Sequence, residues 1–356
     1  MEENQSRTNY SDKPLRCIVK LGGAAITCKN ELEKINEENL GIVSEQLRQA
    51  MMNGGSSTSS TSASIKVLGM DRSKRPGGGV SKISINPDEF EDQSGLDLSK
   101  FIIVHGAGSF GHFQASRSGV HKGGLHHPLV KAGFVATRIS VRVVDITLLF
   151  WVTSLNLEIV RALAREGIPS VGMSPFAAGW STCQRNISAA DTSQVAKSID
   201  SGFVPVLHGD AVYDDLQDCT ILSGDVIIRH LAEVLKPEYV VFLTDVLGVY
   251  DRPPTDSNAV LLREIAVDED GNWSIVAVEN MNKQVEITVA AHDTTGGMVT
   301  KITEAALIAK LGIDVYIVKA ATDHSFRALN GEIQGDIPDD WLGTVIRSSK
   351  QKQKSS

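Results

Sequence analysis

Short apolar runs, each closed by a glycine turn or a loop and separated by helical stretches, constrain this chain more than any other feature. They are Leu15 to Leu21, Phe101 to His105, Ser170 to Met173, Val204 to His208, Tyr239 to Leu243 and Asp314 to Val318. Runs this short and this apolar suit strands buried on both faces. Between them, Glu37 to Met51, Leu155 to Glu166, Asp225 to Leu235 and Met298 to Leu311 carry helical patterns, and Pro169, Pro205 and Pro237 mark helix-to-strand junctions. Alternation of this kind predicts an α/β fold with a mainly parallel sheet and helices on both faces. In such sheets ligands bind beyond the carboxyl ends of the strands. Chemistry is therefore sought in the residues that follow each strand.

Composition narrows the function classes. The 356 residues carry 35 Lys+Arg against 43 Asp+Glu, a formal charge of −8. That balance argues against a nucleic-acid binder working by bulk charge, but leaves room for a locally basic site that takes anionic small molecules. Cys17, Cys28, Cys183 and Cys219 are widely spaced with no CxxC pair, which suits a reducing compartment and speaks against zinc. Residues 1–13 are polar and read as a frayed tail without a signal peptide, and the apolar run Ile146 to Val152 is too short to span a bilayer. The expectation is a cytosolic protein with no membrane partner. Composition shifts abruptly over about 53–99, where Ser/Thr/Gly tracts (NGGSSTSSTSAS, RSKRPGGG) have little to bury. This stretch reads as a solvated insertion. No internal repeat is evident.

Four strand-end segments could carry chemistry. In the first, Lys20-Leu21-Gly22-Gly23-Ala24, with Lys29 beyond it, is either a plain turn or a place where backbone N–H groups and an ammonium meet a phosphate. The second, His105-Gly106-Ala107-Gly108-Ser109-Phe110-Gly111-His112, has the spacing GxGxxGH without the acidic residue that dinucleotide binding wants about twenty residues on. A glycine turn opening a helix still suits an anion, and His112 is a donor to a phosphate oxygen or a packing residue. In the third, His208-Gly209-Asp210 is followed by Ser223-Gly224-Asp225, where Ser223 or Asp225 caps a helix or Asp225 sits among lysines and orients them. The fourth couples Thr244-Asp245, suited to a ribose or adenine pocket, with Gly296-Gly297 and Lys301. A lysine just inside a helix N-terminus is disfavoured by the macrodipole, which points to a bound phosphate. His126-His127 reads as part of a solvated loop.

In order and placement these segments resemble the amino acid kinase family: Lys-Leu-Gly-Gly, His-Gly-Ala-Gly, Thr-Asp-Val-x-Gly-Val-Tyr and Gly-Gly-Met-x-x-Lys. Ser109-Phe110-Gly111-His112 is similar to the isopentenyl phosphate kinases of that family, as are Ile26-Thr27-Cys28-Lys29 and the closing Gly343-Thr344-Val345-Ile346-Arg347. The resemblance implies an αβα sandwich around one open, mainly parallel sheet over residues 14–347. An acceptor-binding half would span 14–208 and a nucleotide-binding half 209–347, with 348–356 a polar tail. It implies a homodimer, ATP with Mg²⁺, and transfer of a phosphoryl group to isopentenyl phosphate for isoprenoid synthesis.

Carried over by residue, Lys20 to Ala24 and Gly108 would hold ATP phosphates. Ala107, His112 and Gly209 would hold the acceptor phosphate. Asp245, Gly296 and Lys301 would serve the nucleotide, and Lys29 would stabilise the transition state. No protein ligand to the metal is implied. A phosphate nucleophile is largely dianionic at neutral pH and needs no general base, so lysines and a histidine donor answer the need of the reaction, which is to neutralise charge. A kinase for another phosphate monoester or a phosphonate, or a non-catalytic nucleotide-binding sensor, are the competing readings. The chain departs from the family at Arg142 to Val152 (RVVDITLLFWV), which reads as a longer helix or buried loop, or as an insertion that distorts the wall of a prenyl pocket near Leu125 to Val144.

Overall fold

Strand β1 (Cys17–Leu21) is buried at every residue and lies inside a large sheet. The computed structural model describes residues 14–28, 34–53, 100–106, 115–142, 155–275 and 297–349. Both the low-complexity stretch after Asn53 and the segment following Arg142 lie outside the described residues.

The other strands are β2 (Phe101–His105), β3 (Ser170–Met173), β4 (Ser181–Cys183), β5 (Asn186–Ala189), β6 (Val204–His208), β7 (Asp210–Asp214), β8 (Asp218–Leu222), β9 (Tyr239–Thr244), β10 (Glu264–Val267), β11 (Trp273–Ile275), β12 (Asp314–Lys319) and β13 (Thr344–Ser348). Nine of them form one sheet in the order β11-β10-β13-β12-β9-β1-β2-β6-β3. Only the β10–β11 and β12–β13 pairs are antiparallel. The expected open, mainly parallel sheet is therefore present. A second sheet, β5-β4-β7-β8, was not legible in the sequence.

Among the described residues, the strands are accompanied by α1 (Gly23–Ile26), α2 (Glu37–Asn53), α3 (Pro128–Arg142), α4 (Leu155–Arg165), α5 (Ser193–Asp200), α6 (Gly224–Leu235), α7 (Gly297–Lys310) and α8 (Asp323–Leu329). Side-chain alternation along the strands assigns them to the two faces of the large sheet. Ile18, Ile102, Val104, Val240, Phe242 and Ile317 pack with α5, α6 and α7. Val19, Leu21, Ile103, Val241, Leu243 and Val318 pack on the opposite face with α2, α4 and α8. A smaller cluster (Val120, Val130, Phe134, Ala211, Cys219) joins α3 to the second sheet.

The parity of β1 has a functional consequence. Lys20 pairs in register with Phe242 and Val104, so its side chain emerges on the α6/α7 face. Chain order reverses around β1, with β2 on one side and β9 on the other. This is the switch point where a crevice opens at the strand ends. All four cysteines are free thiols. Among the described residues, no helix is long and apolar enough to cross a membrane, and no group of His, Cys, Asp and Glu is placed to hold a metal ion.

Trp341 anchors the far side of the core. It is fully buried, donates its indole N–H to the His324 carbonyl at 2.9 Å, and meets Tyr316 edge-on. Trp341→Ala is expected to cost about 3–5 kcal/mol, the range for emptying a buried aromatic site, seen as a lower urea midpoint at unchanged slope. A loss within the noise of the denaturation curve would contradict this packing.

Candidate active site

Three charged side chains meet beneath the ends of the central strands. Lys20 on β1 is hydrogen-bonded to Oδ1 of Asp225 in the first turn of α6. Lys301 on α7 places Nζ 3.8 Å from the same oxygen. Both ammonium groups lie over the Phe242 ring, at 5.8 and 5.7 Å from its centroid, a face-on approach that favours cations. All three side chains are at most 12% exposed. Burial pulls the Lys20 ammonium down to about 8, with Lys301 adding to the fall and Asp225 opposing it. Burial alone would raise the Asp225 carboxyl, but Lys20 and then Lys301 outweigh it and hold the pKa below the usual value. Two cations therefore share one anion, leaving net positive charge in a dry corner.

The local sequence explains how each group arrives there. Ser223 caps α6, its Oγ accepting from the Val226 N–H at 3.3 Å, so Asp225 sits at the positive end of a helix dipole, where a carboxylate is favoured. A Cβ on Gly224 would stand 3.4 Å from Cε of Lys20, so the lysine runs closely past the helix start. Arg229 on α6 donates to Glu304 on α7 at 2.5 Å, tying the helix that carries Asp225 to the one that carries Lys301. Lys301 is the fifth residue of α7, beyond the first turn, and Asp225 rather than an empty helix end sets its environment.

The strand-end glycines work differently from a plain N–H cradle. Gly22 N–H donates to Leu243 O at 2.8 Å, Gly106 N–H to Leu21 O at 3.1 Å, and Gly209 N–H to His105 O at 3.0 Å. Each thus extends the ladder to the neighbouring strand. Gly22 has φ −61° and ψ 134°, open to any residue, yet a Cβ there would lie 2.7 Å from Leu243 O. Space, not backbone freedom, demands glycine. The N–H groups of Gly23 and Ala24, at the start of α1, have no intrahelical partner by construction; Ala24 is exposed. Those two, not Gly22, are the donors that this turn can offer. The Leu21 side chain faces the opposite core, so only its backbone borders the site.

Asp245 follows β9, half-buried, where Thr244 accepts from Ala320 N–H at 2.8 Å and closes the loop. The described residues thus bring together Lys20, Gly22, Gly23, Ala24, Asp225 and Lys301, with Gly209 and Asp245 on adjoining strand ends. Lys29, Ala107, Gly108, His112 and Gly296 lie outside the described residues. Phe242 escaped the sequence reading; its position opposite Lys20 is a matter of strand register.

A sequence profile described as the amino acid kinase family matches residues 54–319. The chain belongs to the amino acid kinase family. It is 66% identical to an isopentenyl phosphate kinase from Arabidopsis thaliana, covering 98% of this chain and 100% of that protein. It is 35% identical to an isopentenyl phosphate kinase from Methanothermobacter thermautotrophicus, over 66% of this chain and 82% of that one. A solved structure described as "X-ray structures of isopentenyl phosphate kinase" superposes with a TM-score of 0.63 at 27% identity, covering 93% of this chain and 99% of that one.

Kinases of this kind use ATP, and the site suits a polyphosphate. The buried Lys20 ammonium, the largely covered Lys301 ammonium, the N–H groups of Gly23 and Ala24, and the N-terminus of α6 all present positive charge to one crevice. Because a lysine that titrates near pH 8 loses its charge above it, ATP affinity should weaken as pH rises past about 8. Asp225 raises the Lys20 pKa, so in Asp225→Asn the weakening should set in at lower pH. Calorimetric titrations across the pH range check this; identical midpoints in the two proteins would contradict it.

Proposed function

We propose that this chain transfers the γ-phosphoryl group of ATP to isopentenyl phosphate, giving isopentenyl diphosphate and ADP. The observation that carries the reading is the buried Lys20 and the largely covered Lys301 sharing one carboxylate at the switch point. Such a pair has no use in a core, where buried charge is costly, but it meets the main difficulty of bringing two polyanions together. The names of the relatives described above support isopentenyl phosphate as the acceptor.

The acceptor's phosphate oxygen attacks the γ-phosphorus in line, and the bond to the β,γ-bridging oxygen breaks, leaving ADP. No residue need remove a proton, because a phosphate monoester is largely dianionic near neutral pH. Catalysis is then positioning and charge stabilisation. In this reading Lys20 and Lys301 bind the β- and γ-phosphates from below, and Gly23 and Ala24 donate N–H groups to them. Lys29 stabilises charge on the group in transfer, and Asp225 orients the two lysines. His112 donates to the acceptor phosphate, with Ala107 and Gly209 shaping its seat. Gly108, Asp245 and Gly296 complete the nucleotide site. Mg²⁺ suits this site as an ion carried on phosphate oxygens, since the carboxylate at the centre, Asp225, is already engaged by two lysines.

The same reading takes residues 14–208 as the acceptor half and 209–347 as the nucleotide half, in a cytosolic homodimer that serves isoprene biosynthesis. The aromatic cluster of Phe134, Phe176 and Tyr213, with centroids 5.2–6.0 Å apart, supplies apolar surface near Gly209 for the prenyl tail.

The test is an ADP-release assay with Mg²⁺-ATP and isopentenyl phosphate on wild type and His112→Ala. Wild type should turn over, and the variant should lose about 10²–10³-fold in kcat, the loss seen when one positioned donor to a transition state is removed. Wild type that binds ATP yet stays inert with isopentenyl phosphate overturns the assignment.

A further inference from the structure

Asp210, the first residue of β7, carries a carboxylate with no exposed surface. It directly follows Gly209, so the two Cα atoms stand about 3.8 Å apart. Four donors converge on it. Oδ1 accepts from the Ala211 N–H at 2.9 Å and from Nε of Arg138 on α3 at 3.3 Å. Oδ2 accepts from the Ser174 hydroxyl at 2.7 Å and from the Phe176 N–H at 3.4 Å. The Arg138 guanidinium also covers the Phe176 ring, with its central carbon 3.8 Å from the ring centroid. Three segments distant in sequence thus close on one side chain: α3, the turn after β3 and the start of β7.

The three neutral donors do not require a charge at this position. An asparagine turned so that its amide nitrogen faces Ser174 would suit them nearly as well, because a hydroxyl accepts as readily as it donates. A carboxylate costs far more to bury and needs a cation to compensate it. Among the described residues, Arg138 is the cation placed on it.

This charge bears on any anion held nearby. Repulsion between like charges is poorly screened in dry surroundings, so an uncompensated Asp210 opposes a phosphate dianion seated one residue away. Paired with Arg138, the same corner is neutral and the repulsion is removed.

We propose that Arg138 is a positioning residue for the acceptor side, which cancels the Asp210 charge at the turn after β6 and so admits a dianionic phosphate monoester beside Gly209. It acts through Asp210 and not on the reacting atoms. The inference rests on the reading that Gly209 borders the acceptor phosphate.

The experiment is a double-mutant cycle in the full chain, with Arg138→Met, Asp210→Asn and the two combined, and Arg138→Lys beside them. Methionine keeps an unbranched apolar stem against Phe176 and removes the charge. Arg138→Met should raise KM for isopentenyl phosphate about tenfold or more, the order for a buried charge left without its partner, at unchanged KM for ATP. Adding Asp210→Asn removes the stranded charge and should return KM to within about threefold of wild type. Arg138→Lys keeps the charge and should also stay within about threefold. A purely packing role for Arg138 predicts no rescue, since asparagine restores no lost contact.

Additive effects in the cycle, a KM for isopentenyl phosphate that Arg138→Met leaves unchanged, or an equal rise in KM for ATP overturns the proposal. Should wild type bind isopentenyl phosphate without turning it over, the assigned reaction fails on its own, and the cycle is read in calorimetric Kd values, where the same rescue is expected. A wild type that does not bind isopentenyl phosphate overturns both. Should Asp210→Asn not fold, Arg138→Met against Arg138→Lys gives the decision, and equal KM values overturn the proposal.

Discussion

Two lysines held on one buried carboxylate form the interaction around which this molecule is organised. An unpaired ammonium in so dry a place would surrender its proton, and an unpaired carboxylate there would gain one. Asp225 restrains the fall of the Lys20 ammonium, the two lysines hold the Asp225 carboxyl ionised, and Phe242 turns its ring face toward both ammonium groups. The arrangement stops short of neutrality. The remaining positive charge lies where three strands and two helices converge, beside backbone N–H groups that a helix start leaves without intrahelical partners. A site of this kind lets a chain with a net charge of −8 receive a highly charged anion, since the attraction is local.

The sheet makes the arrangement possible. Parallel strands bring β1, β2, β6 and β9 to a common edge, and each glycine that follows β1, β2 and β6 donates its N–H to the adjacent strand. The edge is therefore stiff. What remains free to bind is one step farther on, at the starts of α1 and α6. Side-chain parity does the rest: Lys20 and Phe242 share a face, and the helices covering that face carry Asp225 and Lys301. Stiff backbone below and open donors above are what transfer between two anions requires, since the protein must hold charge in place without reorganising.

Much of this was legible in the sequence, for physical reasons. The strands β2 and β6 match their apolar runs residue for residue, because strands buried on both faces leave no polar alternation to blur their limits; β3 matches its run too, although it lies at the sheet's edge with none of its residues fully covered. Lys20, Asp225 and Lys301 stood out as charges at strand and helix ends. The second sheet did not stand out. Its strands β4 and β5 are three and four residues long, and β5 (Asn186–Ala189) is largely exposed, so neither carries an apolar run. Nor could sequence show that Lys20 and Asp225 bond across 205 positions. The glycines after β1 read as a plain turn or as a phosphate-binding one; the N–H of Gly22 belongs to the sheet and its missing side chain makes room for Leu243 O.

The most direct test of this account is the titration of the Lys20 Nζ in the folded protein, followed by ¹⁵N or ¹³C NMR with and without ATP. If burial and Lys301 depress this ammonium while Asp225 restrains the fall, it should titrate near pH 8 when free and move upward when phosphate groups bind beside it. A Lys20 that titrates in the ordinary lysine range and does not respond to nucleotide would contradict the central claim, because the paired charges would then be an exposed ion pair and not a phosphate site.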